Sequence, residues 1–186
     1  MKRNLYCGFI TQKPSTLKWG YDEEHEDFLK LKLELKHQIF TLIESGVKNF
    51  ITSLTQGIET VAAELVLQLK EEYDNEVRLV CAIPFEEQAS KWSIHQRERY
   101  YNILEKSDKN IILQEHFTSD CYINAFDWVS HYSQYMIAIM DNVQRNSAGI
   151  MYCKALKQRK FIISIHPYTL NVEETQFSRD MILACN

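Results

Sequence analysis

Apolar and polar positions follow two different periods along this chain. Short apolar runs, typical of buried strands, predict strands over residues 5–10, 47–53, 77–83, 110–114, 135–140 and 161–165. Between them, apolar residues recur every three or four positions, as in Phe28, Leu31, Leu35 and Ile39, and this spacing predicts helices. Leu29, Leu33 and Phe40 widen the apolar face of that first helix, so we expect it to be well buried.

Strands that alternate with helices predict an α/β fold. The sequence therefore predicts a Rossmann-like, doubly wound fold with a mainly parallel sheet of about six strands and helices on both faces. We interpret residues 1–186 as a single domain, with a core of about 4–166 and a C-terminal extension over 167–186. In the tail from Asn171, Phe177, Met181 and Ile182 stand at helical spacing and predict a short last helix.

In such sheets ligands bind outside the carboxyl ends of the strands, near the point where the strand order reverses. The loops over residues 11–14, 53–59, 84–92 and 141–149 follow four of the predicted strands, so we expect them at one edge. They supply the candidate ligand-binding residues Thr11, Lys13, Ser53, Thr55, Gly57, Glu59, Glu86, Gln88, Trp92, Asp141, Ser147 and Gly149.

The loop over residues 53–59 joins a predicted strand to a predicted helix. A helix start leaves backbone N–H groups unpaired and carries partial positive charge, which favours an anion or a phosphate. Ser53 and Thr55 are suitable N-cap residues, and Ser53 with Gln56 has the spacing of a capping box. Gly57 allows a close approach of backbone or ligand. A well-capped helix with no ligand explains the same residues.

The other polar candidates carry two interpretations each. Glu59 can accept a hydrogen bond from a ribose hydroxyl or simply stabilise its helix N-terminus. Trp92 can stack on a base or anchor its loop. Glu86 and Gln88 can contact a base or sugar or be solvated surface groups, and Asp141 can contact a ligand or begin a turn.

Composition narrows the function classes. The formal net charge of −4 gives no broad attraction to nucleic acid, which makes a nucleic-acid partner an unfavoured hypothesis. No apolar run reaches the length of a membrane span and the start lacks a signal-peptide core, so we expect a cytoplasmic protein without a membrane partner. The five cysteines are widely spaced, and we interpret them as reduced, mostly buried thiols. A homodimer is the default expectation for oligomeric state.

Motifs for common enzyme classes are missing from the sequence. The six histidines show no HxxxH spacing, so we predict no metal site. The chain also has no nucleophile elbow, P-loop or GxGxxG fingerprint. We therefore expect no required cofactor.

One block carries a specific resemblance. The segment Ile83-Pro84-Phe85-Glu86-Glu87-Gln88-Ala89-Ser90-Lys91-Trp92-Ser93, followed by Arg97-Glu98-Arg99-Tyr100, resembles the YpsA-like family. This bacterial family of unknown function lies in the SLOG superfamily of Rossmann-like nucleotide-ligand binders. The resemblance runs from about Tyr6 to Ile165. It implies a pocket at the sheet edge whose candidate ligand is a nucleotide or nucleotide derivative.

The departures from that family fall on its ligand positions. The family's Thr-Gly-His-Arg-Pro is here Ile10-Thr11-Gln12-Lys13-Pro14, so Lys13 keeps a positive charge where the family has Arg. The family's Ser-Gly-Met-Ala-Leu-Gly-x-Asp is here Thr52-Ser53-Leu54-Thr55-Gln56-Gly57-Ile58-Glu59, and its Gly-Gly-Thr is here Ser147-Ala148-Gly149. Either the pocket takes a different ligand, or it has decayed.

Three function classes remain open. The first is a domain that binds or senses a nucleotide-derived ligand. The second is a nucleotide-processing hydrolase or transferase similar to the lonely-guy type of the same superfamily, for which Glu59 is the remaining feature. The third is a scaffold for a protein partner or a DNA-processing accessory protein, which the acidic balance disfavours.

Overall fold

The computed structural model describes residues 4–74, 76–141 and 146–175. The strands are β1 (Tyr6–Thr11), β2 (Asn49–Thr52), β3 (Arg78–Ile83), β4 (Lys109–Ile112), β5 (Tyr135–Ile139), β6 (Phe161–Ile165) and β7 (Val172–Thr175). The helices are α1 (Glu26–Glu44), α2 (Ile58–Glu72), α3 (Ile94–Lys106), α4 (Cys121–Tyr132) and α5 (Ser147–Lys157), with a 3-10 turn at Pro14–Thr16.

The strands form one sheet of seven in the order β4-β3-β2-β1-β5-β6-β7. Strands β1 to β6 run parallel, and β7 pairs with β6 in the antiparallel direction. The Rossmann-like fold class is confirmed, with one strand more than expected. That strand lies where the tail was expected to become helical, and Phe177, Met181 and Ile182 lie outside the described residues.

The strand order reverses beside β1. From β1 the chain adds β2, β3 and β4 on one side, and then crosses to place β5 on the other. Residues 7–11 of β1 pair with residues 135–139 of β5. The loops that leave these two neighbouring strands therefore diverge, which opens a crevice between their carboxyl ends.

Helices cover both faces of the sheet. Buried residues of α1, α2 and α3 form one apolar cluster with the sheet, and those of α4 and α5 form a second. The expectation for the wide apolar face of α1 is wrong. Leu29, Leu33 and Phe40 are 42%, 71% and 42% exposed, because one side of α1 already buries a continuous stripe and α2 lies beside it.

The sequence predicts serine or threonine N-caps at the starts of α2 and α3. Ser93 accepts a hydrogen bond from the backbone N–H of Gln96 and caps α3, as expected. At α2, however, neither Ser53 nor Thr55 is the cap. Gly57 occupies that position, with no side-chain hydrogen bond.

Cysteine chemistry differs from the expectation at one position. Cys7, Cys81 and Cys121 are free and buried, but Cys153 is disulfide-bonded, so the expectation of reduced thiols is wrong for Cys153. Over the described ranges, none of the helices has the length and apolar character to cross a membrane.

Candidate ligand-binding site

A cavity of about 590 Å³ opens at the carboxyl ends of the strands. Its polar side comes from the loops that follow β1 and β2 and from the start of α5. The residues contributed by these loops and by the adjoining ends of β1, α2 and α5 are Thr11, Gln12, Lys13, Ser15, Ser53, Thr55, Gln56, Glu59 and Ser147. The cavity therefore lies at the point where the strand order reverses, which is the expected ligand position in this class of fold.

The structure brings seven of the candidate residues to the cavity wall. These are Thr11, Lys13, Ser53, Thr55, Glu59, Trp92 and Ser147. Gly57, Glu86, Gln88, Asp141 and Gly149 are not among the lining residues. They stay predicted ligand contacts that the cavity geometry does not support.

Glu59 is the most unusual group on the wall. The residue is only 7% exposed, and its Oε2 accepts hydrogen bonds from Thr52 Oγ1 at 3.0 Å, the Ser53 backbone N–H at 3.0 Å and Ser53 Oγ at 2.7 Å. Burial raises the pKa of the Glu59 carboxyl above its usual value, and the hydrogen bonds from Ser53 and Thr52 oppose that rise. A buried acid on a cavity wall is a typical functional-site feature.

This arrangement changes the interpretation of the β2–α2 turn. An anion was expected there, and Glu59 itself supplies one, because its carboxylate already uses both donors of Ser53. A ligand phosphate at this turn would face a carboxylate without those donors. The turn is thus better suited to a ligand hydroxyl that donates to Glu59 than to a phosphate.

Gly57 has a structural role. Its φ of +94° lies in the left-handed half of backbone space, and a Cβ added there would overlap Pro14. The absence of a side chain lets the β2–α2 turn pack against the turn after β1. Gly57 therefore places two cavity loops in contact.

Gln88 and Gln12 connect the cavity loops through hydrogen bonds to the backbone. Gln88 is 4% exposed, and its Nε2 donates to the Ser53 carbonyl at 3.2 Å. Gln12 Oε1 accepts from the Asp141 backbone N–H at 3.1 Å, which ties the end of β5 to the loop after β1. Gln88 thus holds the backbone of Ser53, which is a cavity residue, by a hydrogen bond.

Two features bring positive charge to the cavity, Lys13 and the start of α5. Within the described part of the chain, Lys13 is the one cationic side chain on the wall. Ser147 begins α5, and the N-cap Asn146 accepts from the Gly149 backbone N–H at 2.9 Å. The positive end of the α5 dipole therefore also faces this region, so an anionic ligand group is best accommodated near Lys13 and Ser147.

A second part of the lining, here called the aromatic wall, is aromatic and apolar, and sequence reasoning missed most of it. It comprises Phe9, Tyr21, Tyr122, Ile123, Phe126, Val129, Ile150 and Met151, together with Trp92. Helical periodicity marks the α4 residues as apolar but does not separate a cavity wall from a core. Trp92 lines the cavity and also packs edge-on against Tyr100 at 5.3 Å, so it has an anchoring contact, and its stacking on a base stays a prediction.

Metal binding has no support in the described residues, where no group of three or more His, Cys, Asp or Glu side chains is placed to hold an ion. The site that these residues build is a mixed cavity with an aromatic wall, a buried carboxylate and a lysine. Such a combination suits an organic ligand with a planar group, hydroxyls and negative charge.

Fold and cavity together define a Rossmann-like α/β domain with a ligand-sized pocket at its topological switch point. A family model described as the YspA SLOG family matches residues 12–171. The chain belongs to this family, named YpsA, which confirms the resemblance inferred from the sequence.

Curated relatives match over part of their length. The chain is 36% identical over 88 residues to the UPF0398 protein BH1768 of Halalkalibacterium halodurans, covering 47% of this chain and 46% of the relative. It is 32% identical over 78 residues to the UPF0398 protein SaurJH9_1506 of Staphylococcus aureus strain JH9, covering 42% of this chain and 41% of the relative. The matched segments thus span less than half of these relatives.

Proposed function

We propose that this chain is a cytoplasmic domain that binds or senses a nucleotide-derived ligand in the cavity at the carboxyl ends of β1, β2 and β5. The observation that carries the proposal is the composition of one cavity of about 590 Å³, a volume in the range of small-molecule sites. It combines rings for a base, Glu59 for a hydroxyl, and Lys13 with Ser147 for a phosphate.

The orientation of the ligand follows from the charges. The phosphate-bearing end lies towards Lys13, because Glu59 makes the β2–α2 turn unfavourable for an anion. A ribose hydroxyl donates to Glu59, and the base contacts the aromatic wall. Lys is a point charge that does not clamp a phosphate as Arg does, so binding should weaken markedly with salt.

The test is thermal unfolding of the purified protein against AMP, ADP-ribose, NAD and cyclic AMP, with chromatography of each mixture afterwards. A ligand at about one hundred times its Kd adds about 2.7 kcal/mol of stability. A shift that Lys13→Met and Tyr122→Ala both reduce supports the proposal. No shift with any of the four nucleotides would contradict it and favour a scaffold that binds a protein partner.

A nucleotide-processing enzyme is the second candidate, and Glu59 is the observation that favours it. A buried carboxyl with a raised pKa is a suitable general acid or base. New products in the chromatogram that Glu59→Gln abolishes would support this candidate, whereas an unchanged nucleotide in a stabilised complex supports a sensor.

A further inference from the structure

Tyr21 lies on the cavity wall although it belongs to the long loop between β1 and α1 and is 58% exposed. An exposed ring on a loop provides a useful contact surface only if the loop holds it in place. The contacts on either side of Tyr21 show how this loop is held.

On its N-terminal side the loop is anchored by Trp19. This side chain is 5% exposed and packs edge-on against Phe28 at 5.9 Å and Tyr168 at 5.4 Å. The backbone N–H of Asp22 donates to the Trp19 carbonyl at 2.9 Å, so the chain turns back tightly at Tyr21.

On its C-terminal side the loop is anchored by Glu23. Arg99 of α3 donates to both Glu23 oxygens, with Nη1 at 2.5 Å from Oε1 and Nη2 at 3.0 Å from Oε2. The same guanidinium binds Glu64 of α2, through Nε and through Nη2 at 2.6 Å. Its side chain is 13% exposed, so this is a bidentate and largely desolvated ion pair rather than a surface contact.

The next residue of α3 holds another ring of the cavity. Tyr100 is buried and packs against Trp92 at 5.3 Å. Arg99 thus contacts the loop of Tyr21 through an ion pair, and Tyr100 contacts Trp92 through ring packing. Both Tyr21 and Trp92 line the cavity.

We propose that Arg99 is a positioning residue for the ligand site, which acts through Glu23 to hold Tyr21 as a contact surface for the planar group of the ligand. The proposal rests on the proposed function for the identity of the ligand. The restraint on the loop is measured without any ligand.

The first experiment compares Glu23→Ala with its neighbour Glu24→Ala by amide hydrogen exchange. Both variants remove one carboxylate from the same loop, but Glu24 is exposed and has no ion pair within the described ranges. We expect exchange over residues 18–24 to rise about tenfold in Glu23→Ala and to stay unchanged in Glu24→Ala, since opening free energies reflect local contacts. Equal exchange in the two variants would overturn the proposal.

The second experiment is a double-mutant cycle on affinity, with whichever of AMP, ADP-ribose, NAD or cyclic AMP binds the wild type best. Arg99→Met and Tyr21→Ala should each weaken binding about tenfold, and the double variant should be no weaker than Tyr21→Ala alone. Additive losses would mean that Arg99 acts by another route.

Arg97→Met is the matched control for Arg99→Met, because Arg97 lies on the same helix and is exposed. If Arg99→Met does not fold, Glu23→Ala replaces it in the cycle and leaves the Arg99–Glu64 pair intact. If no nucleotide binds the wild type, the proposed function fails, and the exchange experiment alone decides whether the ion pair holds the Tyr21 loop.

Discussion

The buried carboxyl of Glu59 should make the stability of this protein depend on pH in a defined direction. Glu59→Gln keeps the shape of the side chain and a carbonyl oxygen that can accept the bonds from Thr52 and Ser53, but it removes the titration. We expect the free energy of unfolding of Glu59→Gln, relative to wild type, to increase as pH rises from about 4.3, the usual pKa of a glutamate.

The sign follows from linkage. Burial raises the pKa of Glu59 in the folded state, so the folded protein binds this proton more tightly than the unfolded chain. The stabilising contribution of the protonated group is complete below the unfolded pKa and is lost as pH rises through the folded pKa. Each unit of elevation corresponds to about 1.4 kcal/mol between the two plateaus.

The assay is urea unfolding of both proteins at pH steps between about 4.5 and 8.5, plotted as the difference in unfolding free energy. Taking the difference removes the titrations that the two proteins share. Glu86→Gln is the control for removal of a glutamate from the surface, because Glu86 is exposed in the loop after β3. A flat or falling difference for Glu59→Gln would refute the reasoning.

Three further changes test the packing and charge of the site. Gly57→Ala should destabilise the protein by about 1–3 kcal/mol, because Gly57 has a positive φ and an added Cβ would contact Pro14. Gly46→Ala should destabilise it less, because Gly46 has a similar φ of +96° but open space around it. Urea unfolding measures both changes. Gly8→Ala should cost about 1–3 kcal/mol, since a Cβ there would lie 2.6 Å from Val129 Cγ1; a cost below that of a surface Gly→Ala change would contradict the packing. Lys13→Met should weaken AMP binding but leave adenosine binding unchanged, and calorimetry at low and high salt should show that the lost part is the salt-dependent part.

Much of this fold could be predicted because apolar periodicity is local information. The parallel strands and the helices between them each leave a pattern within a few residues. The strand β7 left none, since Val172–Thr175 is mostly polar and exposed, and it pairs only because β6 offers an open edge.

The site was harder to predict because its features depend on contacts between distant residues. Ser53 and Gln56 have the spacing of a capping box, yet Ser53 donates its backbone N–H and its hydroxyl to Glu59, and α2 starts at Ile58. Likewise, Phe126 and Val129 have the periodicity of core residues, and only the placement of α4 beside β1 turns them into a cavity wall.

Glu59 also bears on whether the cavity is functional or decayed. A buried carboxylate costs folding free energy unless its hydrogen bonds compensate, so a scaffold without a ligand would gain stability from a neutral side chain at this position. If Glu59→Gln is more stable than wild type at neutral pH and also loses nucleotide binding, Glu59 lowers the stability of the fold and contributes to ligand binding. Such a trade-off is common at functional sites. If the variant is more stable and binding is unchanged, Glu59 is only the internal anion of the β2–α2 turn, and recognition must come from Lys13 and the aromatic wall.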